Sequence, residues 1–176
     1  GENKNSKITY FDDIKLNKVN FGIGFDIHRL IENKKLYLGG TKIPFHSGLQ
    51  GHSDGDVILH AIIDAILGAT QKKDIGTYFP SSKNKFKNIR SPKMLKPIVE
   101  NLYKNDFSIN NLDINLICQK PHVSKYRNQI INSISNLMNL NKDKINLKGK
   151  TVEKLGLIGK EKAIACEVII SITKYD

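Results

Sequence analysis

The sequence has no tryptophan, two cysteines, two methionines and five prolines, and only 3 of its 28 basic residues are arginine, against 17 acidic residues. Each scarcity excludes something. Two cysteines cannot form the dense disulfide framework of a small secreted domain. Cys118 and Cys166 each sit in apolar, strand-like text, which suits buried free thiols packed in a core and fits a reducing compartment. The longest apolar stretch, Ala61 to Ala69, is broken by Asp64 and falls far short of the ~20 residues a membrane helix needs. Aromatics are sparse where the charge is densest: Lys83 to Lys96 holds six basic residues and no acidic one, with Phe86 its one aromatic residue. A single-strand nucleic-acid platform interleaves stacking aromatics with its cations, and this run does not. The formal charge of +11 accompanies 25 Lys, 25 Ile and 18 Asn, all with A/T-rich codons, so it reads as nucleotide composition more than as a partner's footprint. Neither a membrane nor a nucleic-acid partner is expected.

What remains suits one domain. A chain of 176 residues buries roughly 70% of the surface its unfolded form exposes, enough to need no disulfide or structural metal. Residue 1 is Gly, read as a processed or trimmed start with any address label removed. Residues 1–18 are polar and Lys/Asn-rich and are expected to be a mobile N-terminal extension, leaving residues 19–176 as the domain.

Within it, NFGIGFDIHRL alternates on a period of two, and KKLYLGGTKIPF predicts two short strands about Gly39-Gly40. In HSDGDVILHAIIDAILGAT, residues Val57, Leu59, Ile62, Ile63, Ile66 and Leu67 fit one helix face, with Ser53 or Asp54 as the cap. A loop through the basic run, a helix opened by Ser91-Pro92 with Ser91 as its cap, a strand in LDINLICQK and a helix in SKYRNQIINSISNLMNL follow. KINLKGKTV and AIACEVIISITKY predict the last strands. The order β-β-α-α-β-α-β-β implies an α+β fold, one compact domain.

Asp26 and His28 stand at i and i+2 on a predicted strand, so both side chains share a face with Cα atoms ~6.6 Å apart. With His60 as a third donor, an Asp/His/His set has the composition of a catalytic zinc site, three protein ligands and an open position. An ordinary turn or core hydrogen bond is the competing reading of Asp-x-His. Asp56, His60 and Asp64 fall along one edge of the predicted helix, among apolar neighbours, so part of that edge must face inward and find partners. The helix N-terminus at Ser53-Asp54 offers backbone N–H groups to an anion such as phosphate. Thr151 and Glu153 are expected on one face of a strand end, where hydroxyl and carboxylate together suit a hard divalent cation and phosphate oxygens. Solvated charges at a strand end are the alternative.

GFDIH, IPF near Gly48, HSDGDVILHAIIDAILGA, DIGTYFP, the QKP turn, TVEKLGLIG and AIACE, in this order and spacing, resemble the 2-C-methyl-D-erythritol 2,4-cyclodiphosphate synthases of non-mevalonate isoprenoid biosynthesis. The resemblance covers about Asn20 to Thr173. It implies an α+β domain with a mixed β-sheet packed on helices, assembled as a homotrimer with active sites between subunits. It also implies a phosphorus–oxygen lyase: the 2-phosphate of 4-diphosphocytidyl-2-C-methyl-D-erythritol 2-phosphate attacks the β-phosphorus, and CMP leaves. Residue by residue, it implies Zn2+ on Asp26, His28 and His60, and Mg2+ or Mn2+ on Glu153. His52 and Thr151 match positions that stabilise the transition state, with Ser53 beside the substrate. Asp74 and Gly76 match ribose contacts. Cys118 to Ser124, including Pro121, His122 and Val123, matches the cytosine loop, and Lys150 and Lys160 match phosphate-side positions. Four residues depart from the family's usual choice: Ser81 and Lys150 stand where Asp and Thr are common, and His122 and Lys160 where Lys and Arg are common. A lysine cannot reproduce arginine's bidentate fork on phosphate. A zinc-dependent phosphoesterase and, further off, a basic nucleic-acid-binding module are the competing functions. The trimmed start and the A/T-codon bias together point to an imported plastid enzyme, such as one of an apicoplast, with a cytoplasmic bacterial protein as the alternative.

Overall fold

A computed structural model describes residues 18–174; apart from Lys18, the expected N-terminal extension lies outside this range. The chain opens with β1 (Val19–Glu32), a short ribbon of β2 (Leu36–Leu38) and β3 (Thr41–Ile43), and then β4 (Ser47–Leu49). Helices α1 (Val57–Ala69), α2 (Ile75–Tyr78) and α3 (Ser91–Lys104) follow. The second half runs β5 (Phe107–Ile117), α4 (Arg127–Met138), β6 (Ile145–Lys150), α5 (Gly156–Gly159) and β7 (Ala163–Lys174). Five strands form one sheet in the order β4-β1-β7-β5-β6, in which β5 and β6 are parallel and the other pairs antiparallel. The sheet is therefore mixed, with helices packed on it, as expected.

The layering follows from β1. Its even positions, Gly22, Gly24, Asp26 and His28, point toward α1, and its odd positions, Phe21, Ile23, Phe25 and Ile27, are exposed. Alternation thus inverts the usual sense, with glycine inside and large apolar residues outside. Helix α1 lies against β1 and β7 and is covered by α3. Every residue of α1 except Asp64 and Gly68 is buried, so the single apolar face expected for it extends all round, as a helix enclosed on all sides requires.

The expected caps are corrected. Asp56, not Ser53 or Asp54, caps α1: its Oδ1 accepts the N–H groups of Ile58 and Leu59, each at 3.2 Å. Those two donors are therefore taken by Asp56 and are not offered to an anion. The same carboxylate accepts from Gly39 N–H at 2.8 Å and Gly40 N–H at 2.6 Å, pinning the β2–β3 turn to the start of α1. Burial pushes the Asp56 carboxyl upward, and the Gly40, Gly39 and Leu59 donors pull it back. In α3, Ser91 is the first helical residue rather than the cap, because its hydroxyl is drawn away to Asp54. The strand expected through Val152 stops at Lys150. In α4, Ile130, Ile134 and Met138 are buried and Leu137 is partly buried against the same core, and both cysteines are buried and free. No helix among the described residues is long and apolar enough to cross a membrane.

Candidate functional site

The two glycines of β1 decide how close α1 comes. A Cβ built on Gly24 would lie 1.9 Å from the Ala61 carbonyl oxygen, and one on Gly22 1.9 Å from that of Ala65. Without those atoms the helix backbone rests on the strand backbone, and His60 is lowered onto Asp26 and His28. His60 Nδ1 lies 2.8 Å from Asp26 Oδ2 and 3.3 Å from His28 Nε2, and His28 Nε2 lies 3.0 Å from Asp26 Oδ2. These three ligand atoms fall within 4.8 Å of one another.

Burial works to raise the Asp26 carboxyl, but hydrogen bonds and charge from His28 and His60 outweigh it and hold the group at about 2. Burial works to lower His60, and the hydrogen bond and charge of Asp26, with Asp56 and Asp54 behind, carry it upward instead. Lone-pair atoms of a carboxylate and two imidazoles so close together require a proton or a cation among them. One oxygen and two nitrogen donors fit zinc and leave room for a fourth ligand. The inward polar edge of α1 thus finds the partners it needs: Asp56 on the turn, His60 on the triad, and Asp64, whose Oδ1 accepts the Ile75 N–H at 2.7 Å and fixes α2.

A pocket of about 420 Å³ opens on the triad and is lined also by His52, Ser53, Gly76 and Ser81, with Phe79 and Phe86. His52 is exposed, and its carbonyl accepts the Asn88 N–H at 2.8 Å, which ties the basic loop to the pocket rim. Asp74 caps α2; its Oδ1 accepts both the N–H (2.9 Å) and the hydroxyl (2.8 Å) of Thr77, and these bonds lower its pKa.

A second pocket, about 240 Å³, gathers Cys118, Pro121, His122, Val123 and Ser124 with Lys150 and Thr151. Three contacts build it. The Cys118 N–H donates to the Lys150 carbonyl at 3.0 Å, its thiol donates to the Pro121 carbonyl at 3.5 Å, and Gly149 lets Val123 approach where a Cβ would stand 2.7 Å away. Thr151 and Glu153 are not on a strand: they lie past the end of β6, and Glu153 and Lys154 have φ of 51° and 64°, so the backbone turns there. The pair still meets, the Thr151 hydroxyl donating to Glu153 Oε1 at 2.7 Å. Lys160 follows α5 and, like Asp74 and Glu153, lines neither pocket. A larger groove of about 540 Å³ between α1, α2 and α3 has no carboxylate, histidine or cysteine in its lining.

Residues 19–173 match the model of the YgbB family. The chain belongs to that family. It is 47% identical over 153 residues to a 2-C-methyl-D-erythritol 2,4-cyclodiphosphate synthase of Clostridium botulinum, covering 87% of this chain and 98% of the relative. It is 58% identical to a bifunctional IspD/IspF enzyme of Pelagibacter ubique over its whole length, and spans 48% of that longer protein. Among solved structures, the CDP complex of Plasmodium falciparum IspF superposes with a TM-score of 0.80 at 42% identity, covering 91% of this chain and 99% of that one. The expected enzyme class, a phosphorus–oxygen lyase of isoprenoid biosynthesis, is the one these YgbB relatives carry. The plastid expectation is overturned: the curated relatives at 58% and 47% identity are bacterial, which favours the cytoplasmic alternative. A Lys/Ile/Asn bias reports nucleotide composition and says nothing about compartment.

Sequence reasoning missed Gly22 and Gly24, whose signal was the pattern Gly-x-Gly-x-Asp-x-His on one strand face. It also missed Ser91 and Asp54 behind His60, for which no local pattern exists because they meet across 37 residues.

Proposed function

We propose that the chain converts 4-diphosphocytidyl-2-C-methyl-D-erythritol 2-phosphate to 2-C-methyl-D-erythritol 2,4-cyclodiphosphate and CMP. The observation that carries this is the convergence of Asp26, His28 and His60 at the floor of a pocket that holds His52, Ser53 and Gly76. In the reaction a 2-phosphate oxygen forms a bond to the β-phosphorus, and the bond from that phosphorus to the oxygen bridging it to the α-phosphate breaks, that oxygen leaving with CMP. The attacking phosphate has a second pKa near ~6 and is already largely ionised at neutral pH, so no side chain need activate it. Catalysis is then alignment and charge neutralisation. A zinc ion on the triad and a Mg2+ or Mn2+ ion on Glu153 would polarise and neutralise the diphosphate.

The protein's own groups supply the rest. His52 and Ser53 stand beside the triad as donors to phosphate oxygens, and the Thr151 hydroxyl orients the Glu153 carboxylate. The Cys118–Ser124 loop offers backbone groups to the cytosine, Asp74 and Gly76 face the ribose, and Lys150 and Lys160 contribute positive charge. The relatives include a structure named as a CDP complex, which supports a cytidine nucleotide as the ligand class.

The metal pocket and the loop pocket share no lining residue within one chain, which supports a site completed between subunits. Support for a homotrimer comes from the open face of the sheet, where Phe21 (70% exposed), Ile23 (62%), Phe25 (56%) and Ile169 (48%) form an apolar ribbon. Incubation of the protein with the diphosphocytidyl substrate and both metals, followed by 31P NMR, tests the reaction. The cyclic diphosphate with CMP is expected; linear hydrolysis products would replace this reading with the zinc phosphoesterase.

A further inference from the structure

His60 has two ring nitrogens and they face opposite ways. Nδ1 faces Asp26 and His28; Nε2 lies 3.0 Å from Ser91 Oγ and 3.1 Å from Ser53 Oγ. Whether Nε2 carries hydrogen is settled by counting donors behind it. Asp54 is buried and receives Arg90 Nε on Oδ2 at 2.7 Å and the Ser91 N–H at 3.1 and 3.2 Å on its two oxygens. The Arg90 guanidinium pairs with this carboxylate and is itself held over the Tyr37 ring, 3.8 Å from its centroid. The groups that face this carboxylate are donors and its oxygens accept from them, so the single hydroxyl proton of Ser91 goes to Asp54 Oδ1. Toward His60, the Ser91 oxygen can then only accept, and Nε2 must carry hydrogen. Ser53 Oγ, which already accepts the Gly55 N–H at 3.1 Å, accepts from the same nitrogen.

We propose that Ser91, polarised by the Arg90-backed Asp54, is a positioning residue that fixes His60 as the Nε2–H tautomer and so presents its Nδ1 lone pair to a divalent cation with Asp26 and His28. This rests on the metal-site reading above. It extends the site to α3, whose start is placed by Asp54 through the Ser91 N–H and hydroxyl. Histidine ligands are generally held this way, by a hydrogen bond from the nitrogen that does not bind metal.

Asp54→Asn gives the sharpest test. Arg90 Nε demands an oxygen at the Oδ2 position, which puts the amide NH2 at Oδ1, facing Ser91 Oγ. The Ser91 hydroxyl must then turn and donate to His60 Nε2, driving the proton to Nδ1 and blocking the ligand atom. In the full-length protein loaded with zinc, 15N NMR of the histidine rings should show His60 with hydrogen on Nε2 and none on Nδ1; the metal takes the place of the proton that the Asp26 carboxylate, 2.8 Å from Nδ1, otherwise draws to that nitrogen. Zinc affinity, by competition with a chelating dye, should fall about 10- to 100-fold in Asp54→Asn. Ser91→Ala, which leaves Ser53 as the acceptor, should lose less affinity and keep Nε2–H. The proposal is overturned if the zinc-loaded native protein lacks hydrogen on His60 Nε2, or if Asp54→Asn binds zinc within twofold of the native protein. Should Asp54→Asn not fold, an Nε2–H spectrum in native protein together with reduced zinc affinity in Ser91→Ala sustains the proposal, and unchanged affinity overturns it. Failure of the metal reading is separate, since it would appear as no zinc binding by the native protein, whereas failure of the proposal would appear as native zinc binding that Asp54→Asn leaves unchanged.

Discussion

Replacing Gly24 with alanine tests how the triad is assembled. The added Cβ would stand 1.9 Å from the Ala61 oxygen, 2.7 Å from the Ala65 nitrogen and 2.9 Å from the Ala61 carbonyl carbon. All three are backbone atoms of α1, so no rotamer change relieves the clash. The shortest distance real Cβ atoms tolerate is about 3.0 Å, so α1 must withdraw from β1 by roughly 1 Å. His60 immediately precedes Ala61 and withdraws with it, stretching the 2.8 Å approach of Nδ1 to Asp26 toward ~4 Å. Metal–ligand distances tolerate only about 0.2 Å, so zinc affinity should fall by about 100-fold or more. Overpacking of this kind costs about 1–3 kcal/mol, which for a chain of this size lowers the melting temperature by about 2–12 °C. Dye competition for zinc and a thermal melt of the same samples measure both effects. Gly68→Ala is the control: its Cβ would meet nothing nearer than Ile23 O at 3.7 Å, and on the same helix it should leave zinc binding unchanged and melt no lower. A Gly24→Ala protein that binds zinc as tightly as the native one and melts within a degree of it would refute the close-approach account.

Four further outcomes are expected. His28→Ala should lose zinc and nearly all turnover while keeping its oligomeric state, checked by metal analysis and sedimentation; full zinc occupancy would remove His28 from the ligand set. Glu153→Gln should keep zinc and lose the Mg2+-dependent part of the rate, and an unchanged magnesium titration would count against its assignment. Ile23→Glu puts a charge in the middle of the exposed apolar ribbon, so on the homotrimer proposed above sedimentation should find a trimer for the native chain and a folded monomer for the variant; an undiminished trimer would move the interface elsewhere. Cys118, whose thiol burial pushes up to about 11, carries roughly one thiolate per thousand at pH 8, so it should resist thiol reagents in the native protein and react once denaturant is added.

The readable and the unreadable parts of this fold differ in the kind of information they need. Strand β7 and helix α4 carry their own period, and the Asp26/His28 pair carries its own geometry, because alternation on a strand places i and i+2 together whatever lies opposite. The ends of elements were harder. Ser53, Asp54 and Asp56 are all good caps by type, and what chose Asp56 was the β2–β3 turn, whose two N–H groups it satisfies at the same time. Ser91 resembles a cap for the same reason and is not one, because a buried carboxylate 37 positions earlier claims its hydroxyl. Thr151 and Glu153 keep their contact although the strand that was to present them ends first, since a turn with two left-handed residues brings i and i+2 together by another route.

In strand β1, composition and burial run opposite to each other. Phe21, Ile23, Phe25 and Ile27 have the character of a core face and Gly22 and Gly24 that of a weak strand, yet the glycine face is the buried one. Two demands made on the same strand account for this. Its inner face must let a helix backbone approach until His60 reaches Asp26 and His28, which excludes any side chain at 22 and 24. With no side chains there to bury, the strand's apolar surface is left on the outer face, uncovered among the described residues. The Asp26/His28/His60 triad and the exposed ribbon therefore have one cause, and on the homotrimer proposed above the same two glycines that admit the helix leave outside the surface on which subunits meet.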